Sequence, residues 1–128
     1  MKEIVAEWIS KAEGDWAVAE REWRARKRPN YDAVCFHAQQ CVEKYLKGML
    51  HLHGIPFAKT HDLAVLLKAC LAVHPLWAAN RDDMERLSQY AVGSRYPGES
   101  CTREKAKLAI GAMKRKRAEV REALGLSC

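Results

Sequence analysis

The chain has 128 residues, of which 48% are apolar and 30% are charged, and its formal net charge is +6. This length suits one domain, so we expect residues 1–128 to form a single unit, and the composition is that of a folded globular protein. The longest apolar runs have five residues, whereas a membrane span needs about 20. The sequence therefore predicts no membrane segment and no signal peptide.

The distribution of charge indicates the kind of binding partner, and the cysteine content indicates the cellular compartment. Residues 101–128 hold eight basic and three acidic side chains, so most of the positive excess lies in this segment. Such a region suits an anionic partner, either nucleotide or nucleic acid, although a solvated surface that keeps the protein soluble has the same composition. Five cysteines without a CxxC motif favour free thiols in a reducing cytoplasm.

The first predicted helix covers residues 3–27, and the break at Pro29 ends it. Its apolar side chains recur at helical spacing within an arc of about 100°, which predicts one buried face. These side chains are Val5, Trp8, Ile9, Ala12, Trp16, Ala19 and Trp23.

The second predicted helix covers residues 31–53 and stops at Gly54, where a left-handed glycine is followed by an apolar residue. Its buried centre consists of Val34, Ala38, Val42, Tyr45, Met49 and Leu52. A short third helix is expected over residues 61–73, with Thr60 as the N-cap.

Pro75 begins a predicted fourth helix that runs to Val92. Residues 93–100 form a turn-rich loop, and a fifth helix over 101–124 stops at Gly125. No segment alternates apolar and polar residues with a period of two. We therefore expect an all-α, up-and-down antiparallel bundle of four to five helices.

The second helix also carries a polar stripe. On a helical wheel, His37, Gln40, Lys44, Lys47 and His51 fall within about 80° of one another. An imidazole, an amide and two ammonium groups together suit a phosphate or carboxylate ligand. Two side chains outside the stripe complete this prediction: Arg95 would contact phosphate and Tyr96 would pack against a base.

Glu43 lies at the flank of the apolar arc of the same helix. A carboxylate in that position needs a cationic partner. We expect Glu43 to pair with Arg95 and so to fasten the loop at residues 93–100 to the helix.

Four segments resemble the HEPN domain family, named for nucleotide-binding domains of higher eukaryotes and prokaryotes. They are FHAQQCVEKYLK at 36–47, THDL at 60–63, SRYP at 94–97 and WISKAEGDW at 8–16. The resemblance covers residues 3–124. It implies an all-α protein that forms a dimer or larger homo-oligomer and has a nucleotide- or RNA-related role. It also implies a minimal nucleotidyltransferase as partner, in a toxin–antitoxin or stress-related module.

Some members of this family are metal-independent ribonucleases whose motif is arginine, four to six residues, then histidine. No arginine occupies those positions before any of the five histidines. The usual machinery is therefore missing, although a histidine can act as a general acid or base beside a different cation. We expect no catalysis and keep a toxin-type ribonuclease with a non-standard site as the alternative.

The remaining candidates are weaker. Basic residues on one side of the fifth helix would form a line about 27 Å long that could follow a phosphate backbone or simply meet water. These residues are Arg103, Lys107, Lys114 and Arg121. His61 and Asp62 start the third helix, where Asp62 suits the helix dipole and the pair could support the site. No zinc motif or phosphate-binding glycine loop is present, so neither metal nor cofactor is predicted.

The leading hypothesis is thus a helical protein that binds a nucleotide without catalysing a reaction. A third possibility is a pure protein-interaction module whose polar stripe faces an acidic partner. Broad apolar arcs leave surface for a second copy of the chain, which favours a homo-oligomer.

Overall fold

The computed structural model describes residues 1–91 and 97–127. Over these two ranges the chain forms five α-helices, one 3-10 helix and no strand. The elements are α1 (Glu3–Trp23), α2 (Tyr31–Leu52), α3 (Leu63–Cys70), the 3-10 helix (Pro75–Asn80), α4 (Arg81–Ser88) and α5 (Arg103–Ala123). The predicted all-α bundle is confirmed. No helix of the described ranges is long and apolar enough to cross a membrane.

The helices α1 and α2 form an antiparallel hairpin. Trp23 and Tyr31 meet at the closed end, and Trp8 lies beside His51 near the open end, with ring centroids 6.1 Å apart. The two helices approach closely at Gly48, where an added Cβ would lie 3.1 Å from the Trp8 Cβ. A larger side chain would therefore push the helices apart.

The central helix of the bundle is α2, which contacts α1, α3, α4 and α5. Burial follows from this position: thirteen of its 22 residues are buried, including the charged Glu43 and Lys47. The predicted apolar centre of α2 is confirmed from Val34 to Met49, and Leu52 is partly buried. On α1 the aliphatic members of the predicted arc are buried, whereas all three tryptophans keep a partly exposed edge.

The start of α3 corrects one sequence prediction. Thr60 is not the N-cap; Asp62 is, and its Oδ1 accepts hydrogen bonds from the backbone N–H groups of Ala64 (3.0 Å) and Val65 (3.4 Å). Thr60 Oγ1 instead accepts from the backbone N–H of Asp62 at 3.1 Å. Asp62 therefore caps α3, and aspartate is among the residue types preferred at the N-cap of a helix.

The predicted fourth helix is divided. Residues 75–80 form a 3-10 helix, and α4 begins at Arg81 and ends at Ser88. The tighter turn brings Trp77 against His74, with ring centroids 4.1 Å apart. At the other end, Ser88 Oγ accepts from the backbone N–H of Leu63 at 2.8 Å and so ties α4 to α3. The contact between Ser88 and Leu63 joins residues that are distant in the sequence. The helical periodicity, which predicted one helix, does not reveal such a contact.

Candidate functional site

Glu43 is the centre of a buried polar cluster. Only 4% of the residue is exposed, and its carboxylate accepts from Gln39 Nε2 and Lys47 Nζ, both at 3.0 Å, and lies 2.8 Å from His61 Nδ1. Burial alone would raise the pKa of Glu43, but these hydrogen bonds and the charge of Lys47 outweigh it and hold the pKa below its ordinary value. Glu43 therefore stays ionised at neutral pH.

The same cluster positions the connection between α2 and α3. Gln39 Nε2 also donates to the backbone carbonyl of His61 at 3.2 Å, so the chain returns along α2 before α3 begins. The predicted partner of Glu43, Arg95, lies outside the described residues, as does Tyr96. Within the described part, Lys47 is the cation of the Glu43 cluster, and His61 contributes a ring nitrogen 2.8 Å from the carboxylate.

The N-terminal half of the predicted polar stripe faces α1. Asp15 of α1 pairs with His37 Nδ1 at 2.8 Å and with Lys44 Nζ. Gln40 donates to Gln39 Oε1 at 2.7 Å. The wheel of one helix cannot reveal that a neighbouring helix supplies a carboxylate, and here that carboxylate already neutralises charge that the sequence assigned to phosphate.

The C-terminal half of the stripe borders an open cleft of about 1060 Å³, which we call the Trp8 cleft. It lies between α1, the end of α2 and the α2–α3 connection. Its walls are formed by Trp8, Lys47, Leu50, His51, Gly54, Ile55, Pro56, Phe57, Lys59, Thr60 and His61. Lys47 and His51 from the stripe, and His61 from the supporting pair, are thus brought together.

One side of the Trp8 cleft is aromatic. The His51 ring lies between Trp8 and Phe57, 6.1 Å from the first and 5.3 Å from the second by ring centroids. Lys47 Nζ is 5.8 Å from the Trp8 ring. The Trp8 indole Nε1 is buried and has no hydrogen-bond partner among residues 1–91 and 97–127.

The rim formed by residues 59–61 is polar and carries the positive charge of Lys59. Lys59, Thr60 and His61 are consecutive and present an ammonium, a hydroxyl and an imidazole. The His61 side chain is 65% exposed, and its Nδ1 is held by Glu43. A cleft with one aromatic wall and one cationic rim suits a planar anionic ligand.

Comparison with known proteins agrees with this architecture. The model of the HEPN domain matches residues 5–123, nearly the whole chain. The chain belongs to the HEPN family. It is also similar to a solved structure, that of ST0689, an archaeal HEPN homologue, with 29% identity and a TM-score of 0.72 over 96% of this chain and 98% of the homologue. No curated protein matches the chain.

The basic line of α5 mostly packs against α1 of this HEPN domain. Lys114 pairs with Glu20 at 3.4 Å, Arg121 pairs with Glu13 at 2.9 Å, and Arg103 lies over the Trp23 ring at 5.2 Å. Lys107 is exposed, and no ion pair of the described residues includes it. Much of the line is therefore paired with α1, and Lys107 is the member for which the described residues show no ion pair.

Three groups of this HEPN domain were not predicted from the sequence. Glu13 accepts from Tyr45 Oη at 2.5 Å and from both Arg117 and Arg121, and these bonds lower the pKa of Glu13 against the opposing effect of burial. Lys116, 1% exposed, lies over Trp77, and its burial lowers the pKa of the ammonium.

Among the described residues no three His, Cys, Asp or Glu side chains converge on a possible metal position.

The third missed group is the cleft wall itself: Trp8, Phe57 and Lys59. Trp8 was assigned to the core because it shares the apolar arc of α1. Trp8 directly precedes the buried Ile9 and therefore lies at the edge of that arc. An edge position of this kind indicates that the ring is partly exposed. Lys59 directly precedes the THDL segment, so proximity along the chain could have identified it. Phe57 had no such signal.

Proposed function

We propose that this HEPN protein binds a nucleotide in the Trp8 cleft and serves as the helical, non-catalytic partner of a minimal nucleotidyltransferase in the reducing cytoplasm. The observation that carries the proposal is the meeting of an aromatic wall with the Lys59–His61 rim. A nucleotide presents a flat base and an anionic phosphate, and binding pockets for such ligands combine apolar walls with a few placed polar groups.

The non-catalytic role has separate support. No histidine follows an arginine at the family's ribonuclease spacing. Asp15 holds both His37 and Lys44, so these two groups stabilise the α1–α2 hairpin. Four cysteines of the described ranges are free thiols, which suits a reducing compartment.

A second candidate function rests on His61. Its Nδ1 is oriented by the Glu43 carboxylate at 2.8 Å, while the ring is largely exposed at the rim of the cleft. A carboxylate-oriented imidazole is a recurring arrangement in general acid–base catalysis. This geometry favours His61, rather than His37, as the histidine to test for the alternative ribonuclease activity.

Titration calorimetry with ATP at two salt concentrations tests nucleotide binding. We expect binding that weakens at the higher salt concentration, and that weakens in Lys59→Ala but not in Lys107→Ala. Both lysines are exposed, so the control removes the same charge outside the cleft. An equal effect of the two substitutions would contradict the assignment of the cleft.

The ribonuclease alternative has its own assay. Incubation of the wild-type protein with labelled single-stranded RNA, without added metal, should leave the RNA intact. Cleavage that disappears in His61→Ala but persists in His53→Ala would overturn the non-catalytic role and establish the second candidate.

A further inference from the structure

We infer that the Trp8 cleft recognises a nucleotide through a single phosphate, and that it binds nucleoside monophosphates at least as tightly as triphosphates. This inference rests on the proposed function, since it specifies the ligand class of the same cleft. Charge balance, donor arrangement and the nature of the cleft wall each contribute to it.

The charge of the cleft is smaller than its lysine and histidine content implies. Lys47 Nζ is 3.0 Å from the Glu43 carboxylate, and the two side chains are only 11% and 5% exposed. The charge of Lys47 is therefore matched within the fold. Lys59 is exposed, and no ion pair found within residues 1–91 and 97–127 includes it. Among the described residues that line the cleft, the fixed positive charge that remains for a ligand is that of one lysine.

His61 adds a hydrogen-bonding imidazole. Its Nδ1 already contacts the Glu43 carboxylate at 2.8 Å, so the other ring nitrogen is the one left for a ligand. A phosphate monoester carries between one and two negative charges at neutral pH. The Lys59 ammonium and the His61 imidazole can contact one such group, whereas a triphosphate brings two further anionic phosphates that these side chains leave unneutralised.

Proteins that bind triphosphates neutralise them with several basic groups or with Mg²⁺ held by carboxylates. The residues that line the Trp8 cleft include no Asp or Glu among the described part of the chain. Glu43, which lies beneath the rim, already contacts Gln39, Lys47 and His61. Neither means of neutralising a triphosphate is provided by these side chains.

The donors of the rim are adjacent in the chain. Lys59, Thr60 and His61 are consecutive, so an ammonium, a hydroxyl and an imidazole lie along one short stretch of backbone. Thr60 Oγ1 accepts from the N–H of Asp62 at 3.1 Å, which leaves its own hydrogen to donate. Three such donors are enough to satisfy the oxygens of one phosphate group.

The aromatic wall supplies the second half of the recognition. Trp8 and Phe57 provide apolar ring surface against which a base can pack. At about 1060 Å³ the cleft is large enough for nucleotides of any phosphate number, so charge, rather than volume, sets the preference.

Titration calorimetry of the full chain with adenosine, AMP, ADP and ATP tests the inference, with and without Mg²⁺. The guanosine series is measured in parallel so that a base preference is recognised. We expect AMP or GMP to bind about tenfold more tightly than the nucleoside, as for one charge-assisted contact, and the triphosphate to gain nothing further. Lys59→Ala should remove this gain, whereas Lys107→Ala should keep it.

The outcomes separate the two proposals. If the triphosphate binds measurably more tightly than the monophosphate, the single-phosphate inference is overturned while nucleotide binding stands. If monophosphate affinity is unchanged in Lys59→Ala, the rim does not hold the phosphate and the inference also fails. If no nucleoside or nucleotide binds the wild-type protein, the proposed function fails together with the inference. Circular dichroism confirms that each variant is folded.

Discussion

Replacement of Glu43 by alanine should destabilise the protein more than any exposed charge replacement. The carboxylate is 4% exposed, and its removal leaves the ammonium of Lys47, with a side chain 11% exposed, without a counter-ion. Loss of one partner of a buried pair costs about 3–5 kcal/mol. His61 adds little because its side chain is 65% exposed, and Gln39 keeps its bond to the His61 carbonyl.

We therefore expect the free energy of unfolding to fall by about 3 kcal/mol, the lower end of that range, because Lys47 can extend partly towards water. Urea unfolding followed by tryptophan fluorescence measures this loss. With a urea dependence of about 2 kcal/mol/M, the midpoint would decrease by about 1.5 M. Replacement of both partners, as Glu43→Leu with Lys47→Met, should recover most of the loss because no buried charge remains unpaired.

Glu85→Ala provides the matched control. Glu85 pairs with Arg81 four residues away, but the two side chains are 51% and 76% exposed, so this change should cost less than about 0.5 kcal/mol. If Glu43→Ala cost no more than Glu85→Ala, the cluster would not stabilise the fold and our account of its energetics would be wrong.

The pH dependence of the same cluster has a defined sign. The pKa of Glu43 is held below its ordinary value of 4.5, so ionised Glu43 stabilises the folded state above that value, and this contribution is lost as the pH falls through the folded-state pKa. The difference in stability between wild type and Glu43→Gln should be constant from about pH 8 to 5 and should shrink below about pH 4.5. A difference that grows on acidification would refute the assignment.

Three further predictions concern packing, thiols and assembly. Gly14→Ala should stabilise the protein by about 0.5–1 kcal/mol in thermal or urea unfolding, because a Cβ there meets nothing within 4 Å. Gly48→Ala should gain less, because its Cβ would meet Trp8. Equal gains in the two variants would argue against a close approach of α1 and α2 at Gly48. Burial raises the pKa of Cys70 to about 11, so mass spectrometry after alkylation at pH 7.5 should find it unmodified in the native protein and modified in urea; rapid native labelling would contradict its burial. Light scattering should give a mass above the 14.6 kDa of one chain. Co-expression should recover a complex with a minimal nucleotidyltransferase. A monomer without a bound partner in both experiments would exclude the predicted assembly.

The sequence by itself determined the helices and their buried faces. Apolar side chains at helical spacing, Asn30 before α2 and the glycines after α2 and α5 are local signals, and the structure follows them to within a few residues. Residue periodicity specifies a helix because the side chains that share a face must be buried together. The division of the predicted fourth helix shows the limit, since Trp77 stacks on His74 and lies under Lys116 of α5, a contact that residue periodicity does not reveal.

Only the tertiary structure decided which polar groups remain for a ligand. The wheel grouped His37, Lys44 and Lys47 correctly on α2, but Asp15 arrives from α1 to hold the first two. Glu43 matches the third. The α2–α3 connection then brings Lys59 and His61 to the Trp8 cleft. A helical wheel contains the direction of each side chain, but not the charges on neighbouring segments, and those charges determine where an anion can bind.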